Sequence, residues 1–308
     1  MAMLELQNVS KRIGDSWALW DVCLEISSSE VIGVLGRSGS GKTTLARVLA
    51  GLQKPTSGSM VIDSSGGEKS VAVAFSSPVY APELIVYENF DMVAVASGIP
   101  AKRRTKQIPS MLHRLHLSEH RSTLASSLPS GALAKMEIAR GLLIDSGVLV
   151  IDSLMDMLDS ATFESVWDYI LDLKRVMGRS FVILTRSGKV AEICGRMAVL
   201  SRGRIAFLGR PDDFRRLAGE DMIVLGDIEN PVILNRIQEH LSVVIREEDG
   251  FLSFRVANGE RVIGDLLSEF GNEMSCVYLK RPTLEDALDA LAQSGGHVTA
   301  NVGEKKVS

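Results

Sequence analysis

The chain has 308 residues, 45% of them hydrophobic and 23% charged, with 34 Lys and Arg against 38 Asp and Glu and a formal net charge of -4. That length suits one large domain plus something smaller, and the apolar content suffices for a sizeable core. No global basic excess marks a nucleic-acid binder. The three cysteines, Cys23, Cys194 and Cys276, show neither metal-ligand spacing nor a disulfide framework, the pattern of a reduced, cytosolic protein. No apolar run reaches the roughly 18 residues of a membrane span. Glu5, Gln7 and Lys11 interrupt the first apolar stretch, so no secretory leader is expected.

In chain order, Leu4, Leu6 and Val9 set among polar residues predict a strand, and residues 20–26 a second. The short apolar run 31–35 predicts a buried strand, because a glycine-rich turn and an apolar helix over 41–49 follow it. Residues 55–58 read as a turn, 59–63 as a strand, 64–70 as a polar loop and 71–75 as a strand. Helices are expected over 85–97 and 108–117, with breaks at Gly98, Pro100 and Pro129. The basic run Lys102, Arg103, Arg104, Lys106 is too short to indicate nucleic acid and reads as a solvated face. A helix carrying Ile138, Leu142 and Leu143 leads to a strand at 148–151. A helix over 160–177, a strand at 180–184 and a hairpin of 197–200 with 204–207 come next. Strands alternating with amphipathic helices predict a mainly parallel sheet covered by helices. Composition shifts near 212–220. Beyond it the pattern predicts helices at 231–241, 263–270 and 284–291, strands at 242–246, 251–256 and 275–279, and a frayed tail after Ser294.

The strongest motif is Gly36-Arg-Ser-Gly-Ser-Gly-Lys42-Thr43, which has the spacing GxxxxGK[ST] between a strand and a helix. Gly36, Gly39 and Gly41, with Ser38, Ser40 and Thr44 beside them, let backbone N–H groups turn inward around phosphate oxygens. The helix terminus adds its dipole and its orphan donors. Lys42 can reach the β and γ phosphates, and the Thr43 hydroxyl can join a Mg²⁺ shell. A purely structural glycine turn would not need lysine and threonine directly after its last glycine. Asp152 ends a buried parallel strand, on the ligand side of such a sheet, and is the natural partner for the metal; a turn or cap aspartate is the plainer alternative. Asp159 suits the cap of the next helix.

With these motifs in place, nearly the whole sequence resembles the nucleotide-binding subunit of an ATP-binding cassette (ABC) transporter. The turn Pro55–Ser59, the stretch Pro82–Asn89, the segment Glu137-Ile-Ala-Arg140-Gly-Leu and the span Leu149–Asp159 follow the family's order and spacing. The ending Pro282-Thr-Leu-Glu285-Asp286 resembles subunits that serve exporters of the ABC-2 type. The resemblance implies an α/β fold: a P-loop NTPase core of ABC ATPase type over 1–218, a helical coupling region at about 76–140, and a small α/β accessory domain at 219–294. Residues 295–308 would be a flexible tail.

Several positions depart from the family pattern. Ser153 stands where a catalytic glutamate is expected, and a hydroxyl is a poor substitute for a carboxylate that orients the attacking water. Asp156 could replace it only after a local rearrangement. Ser76 aligns with the metal-contacting glutamine and Arg186 with the switch histidine. In the signature segment Leu128–Ala132, Pro129 removes a hydroxyl and an N–H, leaving Ser130 and Gly131 to face nucleotide on a partner subunit. Ile13 replaces the usual adenine-stacking aromatic, with Trp17 the nearby substitute. The pattern implies an ATP- and Mg²⁺-binding subunit, impaired in catalysis, of a heteromeric export complex. Its partners would be a multispanning permease, contacted near Val79, Tyr80, Leu84 and Tyr87 unless those four pack in the core at the strand-to-helix junction, and a second, competent ATPase. The subunit would lie peripherally on the cytoplasmic face of a membrane. A weakly active ATPase and a non-transport ATP-binding regulator are the alternatives.

Overall fold

The computed structural model describes residues 2–63, 71–76, 79–226, 231–248, 251–271 and 274–293. The loop expected at 64–70 and the tail expected at 295–308 lie outside them. By packing, the described residues divide into two compact units, one up to Pro211 and the other from Asp212 onward.

In the first unit, strands β1 (Ala2–Ile13) and β2 (Ser16–Ser27) form a hairpin longer than the apolar pattern predicted, opposing Leu6 to Leu24. With β4 (Ser57–Ile62) they make a three-stranded antiparallel sheet of order β2-β1-β4. The second sheet holds β3 (Val31–Leu35), β5 (Val71–Phe75), β6 (Val148–Asp152), β7 (Ser180–Thr185), β8 (Arg196–Ser201) and β9 (Arg204–Gly209), ordered β5-β6-β7-β3-β8-β9. All its pairings are parallel except β8 with β9. Because successive side chains on a strand point to opposite faces, each central strand serves two cores. Leu149, Ile151, Phe181 and Ile183 join one core. Val148, Val150, Val182 and Leu184 join the other, with β1, β2 and helix α1 (Lys42–Leu49).

The first core is roofed by α2 (Val86–Ala96), α3 (Ala101–Arg114), α4 (Ser130–Leu143) and α5 (Ser160–Met177). α5 begins as the sequence implied, with the Asp159 carboxylate accepting from the Thr162 N–H at 2.9 Å. α3 corrects the expectation of a helix over 108–117: it starts directly after Pro100 and carries the basic run on its first turns. Lys and Arg are good helix formers, and Pro100 is already extended at φ -60°, ψ 145°, as a cap requires. Arg104 then ties α3 to α2 through Asp91 at 2.7 Å. A short α6 (Gly188–Glu192) follows β7, and α7 (Pro211–Arg215) lies at the division between units.

The second unit runs β10 (Asp221–Leu225), α8 (Pro231–Leu241), β11 (Arg246–Glu248), β12 (Phe251–Val256), α9 (Gly259–Phe270), β13 (Val277–Lys280) and α10 (Leu284–Gln293). Its antiparallel order β11-β12-β10-β13 is the ferredoxin-like β-α-β-β-α-β arrangement. Ile223, Leu225, Ile237, Phe254, Leu266 and Phe270 fill its core. The strand expected at 242–246 is displaced to β11, because Ser242 turns left-handed (φ 53°) as α8 ends.

Phe90 is fully buried among the helices above the first core, beside Ile108, Met111 and Leu112. Phe90→Ala is expected to destabilise this unit by about 3–5 kcal/mol, read as a lowered urea midpoint at unchanged slope.

Candidate phosphate-binding site

The parallel registers bring four strand ends to one edge of the sheet. Phe75 pairs with Asp152, Asp152 with Leu184, and Leu35 with Thr185. The residues that follow, Gly36, Ser76, Ser153 and Arg186, therefore leave the sheet side by side. The loop from Gly36 is pinned there by its own N–H, which donates to the Thr185 carbonyl at 3.1 Å.

A cavity of about 450 Å³ opens at this edge, lined by Ala18, Ser38, Gly39, Ser40, Gly41, Lys42, Thr43, Thr44, Ser76, Ser153, Met157 and Arg186. Gly41 caps α1 at φ 108°, and a Cβ there would lie 2.4 Å from the Ala18 carbonyl oxygen, so only glycine fits. The first turn of α1 has no acidic residue and no side-chain cap. Its orphan N–H groups and positive end are left for an anion.

Lys42 is 6% exposed. Its ammonium donates to the carbonyls of Gly36 at 2.5 Å and Arg37 at 2.9 Å, and to Ser40 Oγ at 3.4 Å. Burial pushes its pKa down; Asp152 and Asp156 oppose that shift, and Arg186 adds to it. An anion in the cavity would offset the same desolvation.

Asp152 is 1% exposed at the end of β6, and among the described residues its Oδ2 has no hydrogen-bond partner. Oδ1 accepts a 3.3 Å bond from the Ser153 hydroxyl. An orphaned, buried carboxylate oxygen beside a phosphate-type loop fits a hard cation such as Mg²⁺, which needs few protein ligands when phosphate oxygens complete its shell. Among the described residues no cluster of three or more His, Cys, Asp or Glu could hold a metal alone.

Ser153 occupies the expected catalytic-glutamate position with a left-handed backbone (φ 59°), held by its N–H on the Leu184 carbonyl at 2.9 Å. Asp156, which the sequence offers only as a substitute base, has other work in the structure. Its carboxylate accepts from the Thr185 hydroxyl and, at 2.9 Å, from the Arg186 N–H. The only signal for this in the sequence was an acid in the turn after β6.

Trp17 is outside the cavity wall, 42% exposed and edge-on to Trp20 at 4.6 Å between ring centroids. Ser130 and Gly131 open α4 and do not line the cavity either.

Strand order, phosphate-type loop and strand-end aspartate together define a P-loop nucleotide-binding cassette. Residues 19–155 match the family model described as ABC transporter. The chain is 29% identical over 274 residues to the methionine import ATP-binding protein MetN of Ralstonia nicotianae, covering 80% of this chain and 77% of that one. It is 26% identical over 256 residues to the spermidine/putrescine import ATP-binding protein PotA of Nitrosospira multiformis, covering 80% and 70%. Among solved structures, a dimeric ATP-binding cassette bound to ADP and phosphate aligns with TM-score 0.62 at 24% identity, over 68% of this chain and 99% of that one. The cbiO1 protein of Clostridium perfringens aligns with TM-score 0.59 at 20% identity, over 78% and 99%. The fold is that of ABC ATPases, and the match to an ABC transporter ATPase (nucleotide-binding) domain lies in residues 19–155.

Gly41→Ala is expected to remove nucleotide binding and to lower the melting temperature, since the new Cβ must displace backbone at Ala18. Differential scanning calorimetry with and without nucleotide reads both effects.

Proposed function

We propose that the protein is the ATP-binding subunit of a membrane transport complex, one that binds Mg·ATP and hydrolyses it poorly. The observation that carries this reading is the pairing of an intact cradle with Ser153. The Gly36–Thr44 loop, the buried Lys42 and the orphaned Asp152 oxygen share one strand edge, and the carboxylate that would activate water is missing from it.

In this reading the loop N–H groups and the α1 terminus hold the phosphates, and Lys42 exchanges its loop carbonyls for β and γ oxygens. Thr43 and Asp152 would hold Mg²⁺, whose role is to bridge and neutralise the β and γ phosphates. The Ser153 hydroxyl bonds back to Asp152 and carries no charge with which to polarise water. Ser76 and Arg186 border the γ-phosphate end, while Trp17 is exposed on the hairpin, where adenine could stack.

Closure of a nucleotide sandwich would place Ser130 and Gly131 on nucleotide bound by a partner ATPase, the subunit that supplies turnover. Among the described residues no helix is long and apolar enough to cross a membrane. A multispanning permease would complete the transporter, with the exposed Val79 as one apolar contact; Tyr80 and Tyr87, expected at the same face, are partly buried against the helical core. The expected export role rests on the ending Pro282–Asp286. MetN and PotA are named import proteins, so we propose transport without assigning a direction. The ferredoxin-like unit is read as an accessory domain of the same subunit.

Equilibrium titration with a fluorescent ATP analogue is expected to give Mg²⁺-dependent binding that Lys42→Ala weakens at least about tenfold while the protein stays folded by circular dichroism. Equal affinity in both proteins would remove the assignment. Phosphate release by the purified chain is expected at background, with little gain from Ser153→Glu because Ser76, Pro129 and Arg186 also depart from the hydrolytic pattern. Robust turnover abolished by Lys42→Ala would overturn the impaired-subunit reading.

A further inference from the structure

We propose that a cavity at the edge of the large sheet opposite the phosphate loop binds a small organic carboxylate with an apolar body, held by Arg179 and Arg103. The inference is independent of the nucleotide-site reading.

The cavity, about 530 Å³, lies within the first unit where β6 and β7 begin, and residues of α3 and α5 form its other walls. That volume is in the range of small-molecule sites. Three charged residues line it: Arg103, Asp145 and Arg179. Two cations against one acid leave a single positive charge in excess, the complement of a monoanion. Met3, Ile99, Met111 and Leu173 add apolar wall, which suits a carbon body better than a bare ion.

Arg179 is 6% exposed. Its guanidinium donates to the carbonyls of Leu142 at 3.0 Å and Gly141 at 3.1 Å, and to the Ser146 hydroxyl at 2.5 Å. None of these partners carries a formal charge, and among the described residues Nε has no partner. Burial pushes the pKa of this group down to about 10, with Asp145 and Tyr169 opposing the shift. The carbonyls at the end of α4 explain how the guanidinium is oriented. They return only part of what a desolvated cation loses, and a carboxylate in the cavity would return more.

α3 supplies the rim. Arg103, Gln107 and Ser110 stand four and three residues apart, so they share one helix face, and all three line the cavity. Among the described residues Gln107 Oε1 is buried without a partner, an acceptor for a hydroxyl or amide on the ligand body. The basic run of this helix is thereby divided. Arg104 is engaged by Asp91 and the Ile99 carbonyl, whereas Arg103 is exposed beside the cavity.

The test is calorimetric titration of the full-length chain with 3-phenylpropionate, and with 3-phenylpropanol and 3-phenylpropylamine, which keep the body and change the charge. Saturable binding of the carboxylate is expected, with the alcohol and the amine at least about tenfold weaker. The variants are placed on α3, because removing Arg179 would also untie the end of α4. Arg103→Glu is expected to weaken the carboxylate about fivefold, a size limited by the exposure of the guanidinium. Ser110→Trp, at an exposed position, would fill the mouth and is expected to abolish binding while the circular dichroism spectrum stays unchanged. Absence of saturable binding overturns the site. Equal affinity for acid and alcohol overturns the charge assignment, and unchanged affinity in Ser110→Trp shows that the ligand sits elsewhere and overturns the location.

Discussion

The parallel register of β5, β6, β7 and β3 is the constraint on which the site depends. A strand end by itself is only a place where a chain leaves a sheet. Here the pairing of Phe75, Asp152 and Leu184, with Leu35 beside Thr185, makes four chain exits coincide. β3, β6 and β7 are buried on both faces, and a one-residue slip would move every side chain from one core to the other. The hydrophobic effect thus fixes the relative height of Gly36, Ser76, Ser153 and Arg186 before any ligand is present.

What is built at that edge separates into two kinds of part. The cradle is mostly backbone: positive-φ glycines, a helix terminus, and a lysine whose ammonium rests on loop carbonyls. The chemical parts are side chains on three other strand ends. Side chains can change without disturbing the register, whereas the loop admits few changes, as Gly36 and Gly41 show by their lack of room for a Cβ. A chain of this fold can therefore lose the groups that activate water and keep those that grip phosphate. Ser153 in its left-handed conformation marks that division, since its backbone bond to Leu184 is kept while its side chain offers only a hydroxyl.

Much of this was legible in the sequence. The runs that became β3, β6 and β7 are continuous and apolar because both faces are buried, and the glycine-lysine loop is constrained enough to be read from spacing. The β1–β2 hairpin was under-read because its polar outer face broke the pattern. α3 was read short because its first turns are basic and exposed, carrying no apolar stripe to announce a helix. The work of Asp156 was illegible for a different reason. An acid in a turn gives no hint of which strand end will lie against it, and Thr185 and Arg186 are about thirty residues away. Only the β6–β7 pairing brings them together.

That last contact bears on how the departures in this sequence should be read. Taken one at a time, a serine for a glutamate and an arginine for a histidine both count as losses. Arg186, though, is tied by its backbone to an acid that the turn after β6 supplies, and Thr185 is held by the same carboxylate. Two donors, the Thr185 hydroxyl and the Arg186 N–H, meet on one nearly buried acid. Burying a carboxylate costs free energy that only its partners return, so such a contact persists where the position of the loop matters. In the proposed function the site is equipped for binding, with a permanent cation at the switch position in place of a titratable ring. An arginine so placed can hold a γ-phosphate, yet it cannot pass a proton at neutral pH. Under the proposed function, the change at the switch position and the change at Ser153 push the same way, toward nucleotide held and away from nucleotide turned over.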